Sequence, residues 1–252
     1  MKRLEGKVAL ISGTARGLGK AAALRFAAEG ALVVGGDLLH DEAVETQRQI
    51  GREGGTALTA SSLDVTSPES VETWVAEAAE AFGGIDIVLT NAGSVRCGSL
   101  AEQHGATVRS ELDAVRLTAH AAWPHLTRSR GCIVTIGPAC GIRATLSHHR
   151  TSSSAAEAEV CALTRRLATE GSAHGIRANS ISPAPVATEG SPDDRRGAAH
   201  PLRYAAGHTL FGSPRDIARV AAFLASEEAS CVSGAHLVFD GGWSSVLPGP
   251  LT

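Results

Sequence analysis

The segment Ser12-Gly13-Thr14-Ala15-Arg16-Gly17-Leu18-Gly19 constrains this chain more than any other. The apolar run Lys7–Ser12 precedes it and the alanine-rich stretch Leu18–Glu29 follows, so the turn joins a buried strand to a helix. Each glycine then has a separate job. Gly13 permits the tight turn, Gly17 lets backbone approach an anion, and Gly19 lets the helix lie close to the sheet. The helix start offers unpaired N–H groups and the positive end of the helix dipole, with Leu18 among its first residues. Together these features predict a site for a dinucleotide pyrophosphate.

Asp37 ends the next apolar run, about twenty residues on, where a carboxylate can accept hydrogen bonds from both adenosine-ribose hydroxyls. It would repel a 2′-phosphate, so NAD(H) is favoured over NADP(H). Arg16 pulls the other way, because a guanidinium in the turn could pair with that phosphate. A helix-capping role for Asp37 remains the simpler alternative.

The rest of the chain continues the alternation. Strand segments are expected at Ala31–Asp37, Thr56–Leu63, Ile85–Thr90, Cys132–Ile136, Ile176–Ile181 and His236–Phe239. Helices are expected at Leu18–Glu29, Asp41–Glu53, Ser67–Phe82, Ala106–Leu126, Ser154–Ala173 and Pro214–Ala225. This order argues an α/β fold, a parallel sheet covered by helices on both faces. No linker or internal repeat interrupts it, so residues 1–252 are expected to form one domain. The polar stretch at about 183–212 lacks periodicity and is expected to be the substrate loop.

Composition narrows the function classes. Of 252 residues, 43% are hydrophobic and 19% charged, which excludes a disordered or fibrous chain. A formal net charge of −3 offers no basic excess for nucleic acid. No apolar run is long enough to span a membrane, and no signal-peptide core is evident at the N-terminus. The five cysteines are widely spaced, with no C-x-x-C pair. Reduced thiols in a cytoplasmic protein are expected, with no metal site.

With these residues in view, the chain resembles the short-chain dehydrogenase/reductase family over nearly its full length. The turn is similar to the family's T-G-x-x-x-G-x-G, with Ser12 in place of Thr. Asp64-Val65 resembles the segment whose acid contacts the adenine amino group. Asn91-Ala92-Gly93 is similar to the N-A-G motif after the fourth strand. Arg177 to Pro183 resembles the sixth strand, with Ala184 where Gly is usual. Val186 and Thr188 fall where the family touches the nicotinamide carboxamide. Ser213–Ala218, Ser233-Gly234 and Asp240-Gly241-Gly242 resemble its C-terminal motifs. The resemblance implies a Rossmann-type doubly wound sheet of about seven strands, a bound nicotinamide dinucleotide and a homo-oligomer, tetramer or dimer.

The resemblance also implies a catalytic Tyr, a Lys four residues later, a strand-end Ser and a helix Asn, and here the pattern breaks. The Tyr position falls on Ser153, the Lys position on Glu157 and the Ser position on Pro138. The Asn position falls on Glu111 or Arg116. No shift of register repairs this, because lysine occurs only at Lys2, Lys7 and Lys20, and the one tyrosine is Tyr204. Ser154 with Glu157 also forms a sequence capping box, a reading of Glu157 that needs no chemistry. His148 and His149 are weak candidates for a proton shuttle, since an imidazole titrates near neutrality. Loss of four standard positions beside an intact dinucleotide motif favours a catalytically degenerate pseudo-oxidoreductase. Such a protein would serve as a silent subunit, on its own or in a hetero-oligomer with an active paralogue. Two alternatives stand: an active NAD(H)-dependent oxidoreductase on a small-molecule alcohol or ketone using substitute residues, and a repurposed non-redox lyase, isomerase or cyclase.

Overall fold

The computed structural model describes residues 2–91, 100–137, 151–183, 186 and 212–240; within these, only the backbone is described for 100–110, 151–154 and 157. The strands are β1 (Val8–Ser12), β2 (Leu32–Gly36), β3 (Thr56–Leu58), β4 (Ile87–Thr90), β5 (Cys132–Ile136), β6 (Arg177–Pro183) and β7 (His236–Phe239). The helices are α1 (Gly17–Ala28), α2 (His40–Arg52), α3 (Pro68–Phe82), α4 (Leu100–Ser129), α5 (Thr151–Gly171) and α6 (Pro214–Ala225). All pairings are parallel, in the order β3-β2-β1-β4-β5-β6-β7. The expected α/β class is observed: a single Rossmann-like domain, a seven-stranded parallel sheet with helices on both faces.

Two apolar layers sandwich the sheet. On one face α1 and α6 bury Phe26, Ala22, Ile217 and Leu224 against Ile11, Leu89 and Val134. On the other, α3, α4 and α5 bury Trp74, Val115, Leu126 and Val160 against Leu10, Val88 and Ile133. Strands covered on both sides read as nearly continuous apolar runs, which is why β1 reads VALIS and is buried throughout. Strand order reverses between β1 and β4. The crevice outside the strand carboxyl ends at that point is where open α/β sheets place ligands.

Polar groups fix the margins. Glu29, after α1, takes the guanidinium of Arg3 at 2.7 Å and that of Arg25, tying the N-terminal segment to the sheet's lower edge. Hydrogen bonding from Arg3 is the largest influence on Glu29 and holds its carboxyl down at about 2. Asn179, fully buried in β6, donates to the Val232 carbonyl and accepts from Ala235 N–H, which aligns β7.

The largest shifts from the expected boundaries fall in three elements. The third strand stops at Leu58 rather than Leu63, its last pairing being with Val34 of β2. Leu63 is buried all the same, and its N–H donates to the Asp37 carbonyl. The fourth helix runs from Leu100 to Ser129 instead of Ala106–Leu126, with Pro124 accommodated inside it. The fifth begins at Thr151, three residues early, so Ser154 lies within its first turn rather than capping it. The capping-box reading of Ser154 and Glu157 is therefore corrected: an N-cap residue needs non-helical backbone, and Ser154 is helical.

Candidate functional site

The turn after β1 is shaped by close approach. Gly13 (φ 77°) and Gly17 (φ 60°) both lie in the left-handed region. Gly13 N–H donates to the Gly36 carbonyl at 2.7 Å, which pins the turn to the end of β2. A side chain at Gly19 would put its Cβ 2.0 Å from the Gly13 carbonyl oxygen and 2.8 Å from Asn91 Nδ2. No residue but glycine fits there. The turn is held from below as well, since Thr46 Oγ1 donates to the Thr14 carbonyl at 2.8 Å.

Helix α1 opens without a cap. Arg16 occupies the N-cap with extended backbone, makes no side-chain capping bond, and no acid stands in the first turn. The first N–H groups of α1 are thus offered to an external anion. Leu18 faces the core formed on the α1 side, which orients the turn.

Asp37 sits beside this helix start. Its Oδ2 accepts from Ala15 N–H at 3.0 Å and its Oδ1 from Leu39 N–H at 3.0 Å. Each oxygen keeps lone pairs for further donors, such as a pair of vicinal hydroxyls. Arg16 does not point at an open anion site: its guanidinium pairs with Glu42 at 3.2 Å.

Asp64 and Val65 are drawn to the same margin by the Leu63–Asp37 hydrogen bond. Asp64 Oδ1 is engaged locally, accepting from Thr66 N–H at 2.9 Å and Thr66 Oγ1 at 2.7 Å. Val65 packs against the second core layer. On the other side of the turn, Asn91 N–H donates to Ser12 Oγ at 3.0 Å, joining the ends of β1 and β4. That hydroxyl is what the Ser at position 12 contributes, a role the sequence motif alone did not disclose. Pro183 is buried at the end of β6, and Val186 packs on the α1–α6 layer.

The crevice therefore unites Gly13, Arg16, Gly17, Leu18, Gly19, Asp37, Asp64, Val65 and Asn91 along one edge of the sheet. A dinucleotide fits the donor set: a cradle with no room for a Cβ, an uncapped helix start, and a carboxylate with free lone pairs. Among the described residues no group of three or more His, Cys, Asp or Glu side chains is placed to hold a metal ion. Ala92, Gly93, Pro138, His148, His149, Thr188 and nearly all of the 183–212 segment lie outside the described residues. Ser153 and Glu157 are placed only as backbone in the first two turns of α5.

One group stands out in the structure that sequence reasoning met only as the place of a missing Asn. Glu111 on α4 is 7% exposed, its Oε1 has no hydrogen-bond partner, and burial pushes its carboxyl up to about 7. A signal for its burial was present. Glu111 is the one acid on the stripe Glu111, Val115, Thr118, Ala122, Leu126, whose other members are buried and carry no charge.

Comparison with known proteins places this architecture. The family described as enoyl-(acyl carrier protein) reductase matches residues 13–244. The chain is 38% identical to a 2,5-dichloro-2,5-cyclohexadiene-1,4-diol dehydrogenase, LinX, of Sphingobium indicum, over 96% of this chain and 98% of the relative. It is 35% identical to a meso-2,3-butanediol dehydrogenase of Serratia marcescens, over 95% of both chains. The crystal structure of a short-chain type dehydrogenase/reductase from Mycobacterium marinum superposes with a TM-score of 0.87 at 30% identity, over 95% of this chain and 96% of that one.

These relatives overturn one expectation. A silent, degenerate pseudo-oxidoreductase was expected from the missing Tyr, Lys, Ser and Asn, yet relatives aligned along almost the whole chain are named as dehydrogenases. Inference from four lost side chains alone treated one set of groups as the only chemical solution for this scaffold. With matching sequence, matching fold and a matching family along nearly its full length, the chain belongs to the short-chain dehydrogenase/reductase family.

Proposed function

We propose that the chain is an active nicotinamide-dinucleotide-dependent oxidoreductase that interconverts a small alcohol and its ketone, with groups other than Tyr and Lys moving the proton. The observation that carries this reading is the cradle at Gly19 beside an uncapped α1, set in a chain whose relatives are named dehydrogenases. Bound in the crevice, the dinucleotide supplies or takes up a hydride.

The chain's own residues do the rest. Backbone N–H groups of the turn and of the first turn of α1 hold the pyrophosphate, helped by the helix dipole. Asp37 receives the adenosine-ribose hydroxyls and selects NAD(H), because a 2′-phosphate there would meet a carboxylate already held in place by two backbone donors. Glu42 supports the same choice by neutralising Arg16. Asp64 and Val65 border the adenine. Asn91, Ala92 and Gly93 line the path toward the nicotinamide, and Pro183, Val186 and Thr188 bound its carboxamide side. The segment at about 183–212 covers the substrate. The reading extends to a single domain over residues 1–252 and to a cytoplasmic homo-oligomer. It is in keeping with Cys132 and Cys231, which form no disulfide.

The test is a titration of the purified chain with NADH and NADPH, followed by turnover on a panel of secondary alcohols, vicinal diols and ketones read at the nicotinamide absorption band. Tight NADH binding with turnover on one class is expected. Binding without turnover on any of them, or no binding, overturns the proposal.

A further inference from the structure

Hydride transfer to a carbonyl leaves an oxygen that needs a proton, and the chain has neither Tyr nor Lys between residues 21 and 203 to supply it. Among the described residues Glu77 and Glu111 each carry a buried carboxyl oxygen without a partner; Glu77 is half-buried and bonded to Ser61, whereas Glu111 is buried as a whole. Its position follows from the packing of α4.

The last turns of α4 are fixed at the lower margin of the sheet. Ser129 Oγ donates to the Ile85 carbonyl at 2.9 Å, and Gly131 N–H to the Leu126 carbonyl at 3.0 Å. From Leu126 the helix runs antiparallel to the strands. The fifteen residues back to Glu111 span about 22 Å at 1.5 Å each. The six from Gly131 to Gly137 span about 20 Å at 3.3 Å each. Glu111 therefore stands level with the carboxyl ends of β4 and β5, at the height of Asn91 and Gly137.

It also faces inward. Residues 111, 115, 118, 122 and 126 follow one another at helical spacing, and Val115, Ala122 and Leu126 pack in the same layer as Val88 and Ile133. Thr90 alternates with Val88, so its side chain lies on this same face of the sheet, at its upper end. Thr90 Oγ1 is buried and without a partner, like Glu111 Oε1. Two orphaned polar atoms at one level of one face mark a place that serves something other than packing.

Among the side chains described, nothing charged accounts for Glu111. On α3, Glu69, Glu72 and Glu80 are exposed and Glu77 is engaged by Ser61; on α5, Glu159, Arg165, Arg166 and Glu170 are exposed. Strands β4 and β5 carry the hydroxyls Thr90 and Thr135, and the thiol of Cys132 at their far end. On α4 itself, Arg116 and His120 point outward, and Asp113 pairs with Arg116. Burial is what raises the carboxyl.

The geometry points to Glu111 as the proton carrier of this site, a buried acid with an unpartnered oxygen, level with the substrate crevice. The inference rests on the oxidoreductase reading above. In the reducing direction the carbonyl carbon accepts the hydride supplied by the bound dinucleotide and the C=O π pair moves to oxygen. The Glu111 O–H bond then breaks to place its proton on that oxygen, directly or through one water. The carboxylate left behind recovers a proton from solvent. In the oxidising direction every step reverses.

The test uses the full chain labelled with 13C at the glutamate carboxyl carbons. The Glu111 resonance is assigned by its loss in Glu111→Gln and again in Glu111→Met, so that one poorly folded variant does not decide the matter. It is then titrated with no dinucleotide, with NADH and with NAD+, while nicotinamide fluorescence reports NADH binding. A midpoint near neutrality is expected in the free chain, with an acid dissociation constant at least about threefold larger with NAD+ than with NADH, because the oxidised ring carries positive charge. A midpoint that is the same in all three states, while NADH binds, overturns the role of Glu111 and leaves the oxidoreductase reading standing. No binding of NADH overturns both. In turnover with 2,3-butanedione and NADH, Glu111→Gln is expected to lower kcat about a hundredfold. It should also abolish the pH limb near neutrality, with KM for NADH unchanged. A retained limb also overturns the role.

Discussion

Two acids stand at the carboxyl edge of the same sheet, and their surroundings differ in almost every respect. Asp37 sits after β2 among backbone donors, with one N–H on each oxygen and room for more. Glu111 sits on the inner face of α4 among apolar side chains, with one oxygen touching no donor at all. The first region is made of backbone and glycine and is written in a short motif. The second is a property of packing, in which a helix carries an acid into the core at a chosen height. Polar surroundings favour the charged form of a carboxyl, and apolar surroundings favour the neutral one. One edge thus carries a carboxylate held by backbone donors and a carboxyl that burial drives toward its neutral form.

The sharpest probe of this contrast is stability against pH. Glu111 has its folded pKa raised from 4.5 to about 7, so the folded chain binds more protons than the unfolded one between those values. Its contribution is therefore greatest below about pH 4.5 and is lost as pH rises through 7. Glu111→Gln removes that loss. It is expected to raise stability by about 3 kcal/mol at pH 8 and by almost nothing at pH 4, measured by denaturant melts across the range. A pH-independent difference would show that the carboxyl is solvated. Glu29 supplies the opposite control. Held at about 2 by Arg3, it stabilises the fold above pH 4.5 and loses that contribution as pH falls toward 2. Glu29→Gln should weaken the chain at pH 7 and not at pH 2.

On the recognition side the largest effect is expected from Gly19→Ala. The added methyl meets backbone at 2.0 Å, so the turn or the helix must move. Overpacking of this kind costs about 1–3 kcal/mol. NADH affinity is expected to fall between about tenfold and a hundredfold by fluorescence titration. Asp37→Ala removes both the ribose acceptor and the anchor for Ala15 and Leu39. NADH binding should weaken about tenfold, a loss near 1.4 kcal/mol, while NADPH binding weakens less or improves. The smallest effect belongs to Glu42→Gln, which frees Arg16 from an exposed ion pair worth no more than about 1 kcal/mol. NADPH affinity should rise less than about fivefold, and NADH affinity should stay put. If Glu42→Gln shifted preference more than Asp37→Ala, the selectivity assigned to Asp37 would belong to Arg16 instead.

The strands and helices of the first half were readable along the chain because their signals are local: apolar runs, glycines at fixed offsets, and Pro68 behind a Ser67 whose hydroxyl accepts the Ser70 N–H. The same holds for α6, where Ser213 and Asp216 complete a reciprocal cap around Pro214. Errors gathered where partners decide the outcome. The third strand ends at Leu58, opposite Val34 and two residues short of the end of β2, and α5 starts before its capping signal. The expectation of a silent protein failed for a related reason. It counted missing side chains without asking what others the packing brings to the edge.

Local chemistry settled the α/β order, the phosphate turn and the acid after β2, because backbone torsion at glycine and hydrophobic periodicity act over a few residues. Packing settled the burial of Glu111, the pairing of Arg16 with Glu42, and the tie between Ser12 and Asn91 across 79 positions. A side chain's charge state and partners depend on what the whole fold places within a few ångströms of it, and sequence distance carries no measure of that.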